Sequence, residues 1–174
     1  ERALLSTKTL LFPRDKFRVL VESNARSCYH INMEIFERAK GKINLTLDIT
    51  GESGGFHLLD MLVATIDLFD DVKITYRADD KIECVQDGET ADEKNSAYRA
   101  AKLMKDTFGT RGFTVEITKR IPLAGGLGGS CADGVAVVRG VEKMLGINHD
   151  FITPEFLLKA GSDAPSMYFD GIKR

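Results

Sequence analysis

Four glycines within five positions, Gly125, Gly126, Gly128 and Gly129, are followed at once by Ser130. This is the run in the 174-residue chain best suited to chemistry. Glycine lets backbone N–H groups close around an anion. A helix beginning just beyond adds unpaired donors and the positive end of its dipole. Phe113-Thr-Val-Glu-Ile-Thr118 alternates before the run as a strand does, and Ala132 to Leu145 carries apolar residues at helical spacing after it. Strand, glycine loop and helix in that order make a phosphate cradle, and so point to a nucleotide-binding site. Neither G-x-x-x-x-G-K-[ST] nor G-x-G-x-x-G is present, and a plain flexible glycine turn is the competing reading.

Other elements must position this loop. Glu34-Ile-Phe-Glu-Arg-Ala39 and Lys42-Ile-Asn-Leu-Thr-Leu-Asp-Ile49 alternate as half-buried strands, with a turn at Gly51–Gly55. Residues 57–68 fit strand or helix, with Met61–Ile66 favouring a buried strand. Asp70-Asp71 reads as a turn into a strand at Val72–Tyr76. Ile82–Val85 reads as a short strand and 86–93 as a polar loop. Asn95 to Phe108 predicts a helix stopped by Gly109, with Ala97, Ala101, Met104 and Phe108 on one face. Gly134 and Gly140 weaken the next helix by about 1 kcal/mol each relative to Ala. A last short helix runs from Thr153 or Pro154 to Ala160. Thr9–Phe12 and Phe17–Val21 are candidate short strands within 1–32, a segment that reads as an extension of no evident role. The order predicts an α+β fold, a mostly antiparallel sheet with helices on one face.

The hydrophobic fraction of 43% supports a true core, and a net charge of −2 gives no reason to expect a nucleic-acid partner. No apolar run approaches the roughly 20 residues of a membrane span, so no membrane role is expected. The three cysteines, Cys28, Cys84 and Cys131, have neither disulfide-framework nor zinc spacing. Free thiols fit a reducing, cytoplasmic location.

The stretch Ile121-Pro-Leu-Ala-Gly-Gly-Leu-Gly-Gly-Ser-Cys-Ala-Asp133 resembles the P-x-x-x-G-L-G-[SG]-S-[SA]-A signature of the GHMP kinases, with Cys131 where a small Ser is usual. Ala39–Gly51, Gly54-Gly-Phe-His57, Glu93–Ala101 and Gly161-Ser-Asp-Ala-Pro165 resemble further patches of that superfamily's 4-diphosphocytidyl-2-C-methyl-D-erythritol kinase branch, in the same order. The resemblance covers about 33–174. It implies the ribosomal protein S5 domain 2-like fold of a GHMP kinase N-terminal domain, with ATP and Mg²⁺ as cofactors. It also implies phosphorylation of a hydroxyl on a small molecule in non-mevalonate isoprenoid synthesis.

Phosphoryl transfer needs positioning, charge neutralisation and a route for the hydroxyl proton. The resemblance implies Asp163 as the base, where a turn or capping Asp is the alternative. It places Lys42 beside Asp163 to balance charge and Asn44 on the same strand face for substrate. Phe56 would stack on the cytosine and His57 would hydrogen-bond it. Gly126, Gly128, Gly129 and Ser130 would hold the ATP phosphates, with Ser130 also near the metal, and Pro122, Gly125 and Leu127 would complete the ATP-binding loop. Asn95 is either a helix cap or an adenine contact. Cys131 is either a small packed residue or, where exposed at the helix start, a thiol with a lowered pKa that reacts with thiol reagents.

Three departures bear on this. Residues 1–32 precede the natural start of the resemblance at Met33. The link from Leu157 to Gly161 is short, which would move Asp163 away from Lys42. The usual C-terminal GHMP domain is missing after Arg174, which would leave an apolar face to drive dimerisation or mark the chain as a fragment. The alternatives to the leading function are therefore a truncated nucleotide-binding domain without catalysis and a GHMP kinase for another substrate.

Overall fold

The computed structural model describes residues 33–54 and 56–173, the side chains of Ser53, Phe56, His57 and Lys173 excepted. The strands expected within 9–21, Cys28 and the remainder of 1–32 lie outside the described residues.

Two long strands dominate, β1 (Glu34–Ser53) and β2 (Phe56–Tyr76), paired antiparallel around a tight turn at Gly54. The pairs of short strands expected along this stretch are each one continuous strand. The irregularity in register between Lys40 and Lys42 falls where the first pair was divided, and two more follow on the same strand, between Asn44 and Thr46 and between Ile49 and Gly51. Then follow β3 (Ile82–Gln86), β4 (Glu89–Thr90), α1 (Ser96–Phe108), β5 (Phe113–Thr118), α2 (Gly129–Leu145), a 3₁₀ turn (His149–Phe151), α3 (Pro154–Leu158), α4 (Ala164–Met167) and β6 (Ile172–Lys173). The sheet order is β1-β2-β5-β3-β4, with β6 added to β2. Only the β3–β5 pair is parallel among the described strands, because α1 carries the chain back across between them.

Alternation fixes which face is covered. Phe113, Val115 and Ile117 of β5 and Val72 and Ile74 of β2 are buried, and α1 and α2 pack on them as one core. The α+β fold with helices on one face is therefore as expected. Gly140 shows why a helix-weakening residue stands in α2. A Cβ there would lie 2.2 Å from Ile74 Cδ1 and 3.2 Å from Ile35 Cγ2, so glycine permits the helix to lie close on the sheet.

Asp70-Asp71 is not a turn. Both lie within β2, and Asp70 is fully buried. Its carboxylate accepts from the backbone N–H of Arg120 and Ile121 and from Lys119 Nζ, and these donors make a buried charge tolerable mid-strand. Nor is Met61–Ile66 a fully buried strand, since only Val63 is buried there. It belongs to the arm where β1 and β2 run beyond the helices. Leu45, Leu47, Ile49, Leu58 and Leu59 are exposed on this arm. No helix of the described residues is long and apolar enough to cross a membrane.

Candidate active site

Lys42 reaches the site because β1 changes parity. Ile35, Glu37 and Ala39 face the helices while Phe36 and Arg38 face away. Unbroken alternation would send an even-numbered lysine away with Phe36 and Arg38. The irregularity between Lys40 and Lys42 turns it to the helix side instead. There Lys42 is 7% exposed. Its Nζ lies 3.4 Å from Asp163 Oδ2 and donates to Asn44 Oδ1 at 3.0 Å. Asn44, two residues on, shares its face.

Asp163 arrives from the other side. It stands at the start of α4, yet its side chain makes no capping bond there, so the carboxylate is left for Lys42. The link that precedes it is compact rather than disruptive. Leu157 O accepts from the N–H of both Ala160 and Gly161, and Gly161 packs against Cys131 Sγ. The expected displacement of Asp163 from Lys42 is thus overturned: α3 ends early, and contact with Cys131 holds the turn in place.

The glycine loop lies against this pair. Lys42 N–H donates to Leu127 O at 2.9 Å. Gly128 caps α2 with φ 71° and no side-chain cap, so the N–H groups of the first turn, Gly129 through Cys131, have no intrahelical acceptors. A Cβ at Gly128 would sit 3.0 Å from Met167 Sδ and 3.2 Å from Lys42 Cγ. Ala124 and Gly126 also take positive φ, 58° and 70°. The result is a cleft of about 300 Å³ lined by Lys119 and residues 121–131. Its lining includes Gly126, Gly128, Gly129 and Ser130, the residues expected to hold phosphate, together with Pro122, Gly125 and Leu127. The predicted helix from Ala132 begins three residues earlier, at Gly129, so the glycine run itself forms its first turn.

Asn95 is the cap of α1. Its Oδ1 accepts from Ala97 N–H at 2.8 Å and Tyr98 N–H at 3.4 Å, and its Nδ2 donates to Gln86 Oε1. Two residues that sequence reasoning missed stand beside Ser130. Ser96 Oγ is 2.8 Å from Ser130 Oγ, and Arg99 Nη2 donates to Ser96 Oγ at 3.1 Å. Their i, i+3 spacing on the first turn of α1 was a signal, but nothing in the sequence said that this turn faces the loop. Phe56 and His57 open β2, with side chains outside those described.

Of the two readings of Cys131, the packed one fits. Its thiol is pushed up to about 11, chiefly by burial and then by the nearby Asp163 carboxylate, so the helix start does not activate it. Among the described residues no cluster of three or more His, Cys, Asp or Glu could hold a metal. A hard cation bound by phosphate oxygens needs few protein ligands, and Ser130 Oγ at the mouth of the cradle fits that demand.

A glycine-lined cleft beside a lysine–carboxylate pair suits transfer of a phosphoryl group to a hydroxyl. The comparisons with known proteins bear on the family. Residues 95–170 match the GHMP kinases N terminal domain. The chain is 37% identical over 138 residues to a 4-diphosphocytidyl-2-C-methyl-D-erythritol kinase of Bacillus subtilis, covering 77% of this chain and 47% of that protein. It is 38% identical over 145 residues to the same-named protein of a Geobacillus species, covering 80% and 50%. A crystal structure of 4-(cytidine 5'-diphospho)-2C-methyl-D-erythritol kinase superposes with a TM-score of 0.65 at 26% identity, over 76% of this chain and 48% of that one. The chain therefore spans about half the length of the curated relatives it matches. Family match, relatives and fold together identify a chain that carries a GHMP kinase N-terminal domain.

Proposed function

We propose that this domain binds ATP with Mg²⁺ and transfers its terminal phosphoryl group to a hydroxyl of a small molecule. The observation that carries the reading is the meeting of Asp163, Lys42 and Asn44 at a glycine loop whose Leu127 carbonyl is bonded to Lys42. Asp163 would accept the hydroxyl proton, Lys42 would steady the charge on the attacking oxygen, and Asn44 would orient the acceptor. The free N–H groups at the start of α2 would hold the phosphates, with Ser130 near the metal. An adenine contact by Asn95 would use the Nδ2 that now donates to Gln86.

The acceptor we propose is 4-diphosphocytidyl-2-C-methyl-D-erythritol, in the non-mevalonate route to isoprenoid precursors. The names of the relatives at 37% and 38% identity support it. Phe56 would stack on its cytosine and His57 would hydrogen-bond the ring. Titration of Mg²⁺-ADP into the protein tests the nucleotide half of the reading. Saturable binding lost in Gly128→Val is expected, and no binding to the unaltered chain would refute it.

A further inference from the structure

Behind the glycine loop lies a buried charge cluster that phosphoryl transfer does not call on. Lys119 Nζ donates to Asp70 Oδ2 at 2.5 Å and to Asp133 Oδ2 at 2.8 Å. Asp70 is fully buried and Asp133 is 3% exposed. The three residues come from β2, from the segment leaving β5 and from the second turn of α2. The other oxygen of Asp70 takes the N–H groups of Arg120 and Ile121, and among the described residues Asp133 Oδ1 has no hydrogen-bond partner.

The cluster ties both ends of the phosphate loop. Arg120 and Ile121 are its entry, and Asp133 lies just past its exit. The Lys119–Asp133 bond closes the fourteen-residue span between them. Ile121 and Lys119 also form the shelf under the first residue of α2. A Cβ on Gly129 would lie 2.9 Å from Ile121 Cγ2 and 3.4 Å from Lys119 Nζ.

Stability alone does not account for such a group. Two carboxylates share one ammonium, one oxygen is left unpaired, and apolar side chains of the same volume would cost less desolvation. What charge adds is a single arrangement. The loop needs that, because Ala124, Gly126 and Gly128 all sit at positive φ, and the first of these has a side chain that disfavours it.

We propose that Lys119 is a positioning residue which, held between Asp70 and Asp133, fixes the glycine loop in the shape that receives the nucleotide phosphates. The affinity part of this rests on the nucleotide reading above, whereas the loop-shape part does not.

Amide hydrogen exchange of the unliganded protein, read beside Mg²⁺-ADP affinity, tests it. Lys119→Met is expected to speed exchange over residues 121–131 by about tenfold, leaving β5 and α1 unchanged, and to weaken Mg²⁺-ADP by a similar factor. Lys119→Arg should recover most of both effects. Asp133→Asn keeps the acceptor but drops the charge, and should give a smaller change of the same kind; it replaces Lys119→Met if that variant does not fold. Exchange and affinity both within about twofold of the unaltered protein, or exchange rising equally throughout, would overturn the proposal. If the unaltered protein fails to bind Mg²⁺-ADP, the nucleotide reading falls, and the exchange comparison still decides the role of Lys119.

Discussion

Lys42 and Leu127 are joined through their backbones, N–H to carbonyl at 2.9 Å, across 85 residues of sequence. One end of that bond is the strand that carries Lys42 and Asn44, and the other is the middle of the glycine loop. A group transferred from the loop to an acceptor on the strand would therefore travel between parts fixed to one another by the main chain.

Asp163→Asn should leave the fold and Mg²⁺-ADP binding in place, since its side chain caps nothing and its ion pair is with Lys42. The rate of phosphoryl transfer should fall by about 10²–10⁴-fold, the usual worth of a positioned base. Steady-state rates beside a nucleotide titration separate the two effects.

Gly140→Ala sets two known magnitudes against each other. Helix propensity would gain about 1 kcal/mol. The new Cβ, 2.2 Å from Ile74 Cδ1, overpacks the contact between α2 and β2 at a cost of about 1–3 kcal/mol. Net destabilisation is expected in urea melts. Ile74→Val, which removes the obstructing methyl, should cost less in the Gly140→Ala background than alone. A Gly140→Ala protein more stable than the original would mean that α2 does not lie this close to the sheet.

Asp133 predicts a pH dependence. Burial, only partly offset by Lys119, pushes its carboxyl from 3.8 up to about 7. The folded protein thus holds a proton that the unfolded chain has released, so between these values stability falls as pH rises. Asp133→Asn removes this contribution. The difference in unfolding free energy, variant minus original, should become more favourable to the variant from pH 4 towards pH 7, since the original alone loses this proton-linked stability. A pH-independent difference would contradict the assignment.

Cys131, with its thiol near 11, should be alkylated slowly by iodoacetamide at pH 7. Modification as fast as a free thiol would show that the Cys131–Gly161 contact opens in solution.

Much of the site was legible because its signals are local. The glycine loop, strand β5 and the helix from Asn95 follow from residues a few positions apart, and β5 has the boundaries that alternation gave it. What the sequence hid depends on distant partners. Asp70 looked like a turn because the donors that permit its burial lie some fifty residues on. The parity change that turns Lys42 inward is a property of the β1–β2 pairing, visible in neither strand alone. Ser96 and Arg99 belong to the site only because α1 begins beside Ser130. Asn95 was open between cap and adenine, and the helix claims its carbonyl oxygen.

The most direct test of the central claim is ADP release from Mg²⁺-ATP, with and without 4-diphosphocytidyl-2-C-methyl-D-erythritol, by the protein and its Asp163→Asn variant. The account expects release that depends on the acceptor and is lost in the variant. Acceptor-dependent release that persists undiminished in Asp163→Asn would remove Asp163 from the chemistry. Nucleotide binding with no release under any condition would contradict the claim that this arrangement of Lys42, Asn44 and Asp163 transfers phosphate.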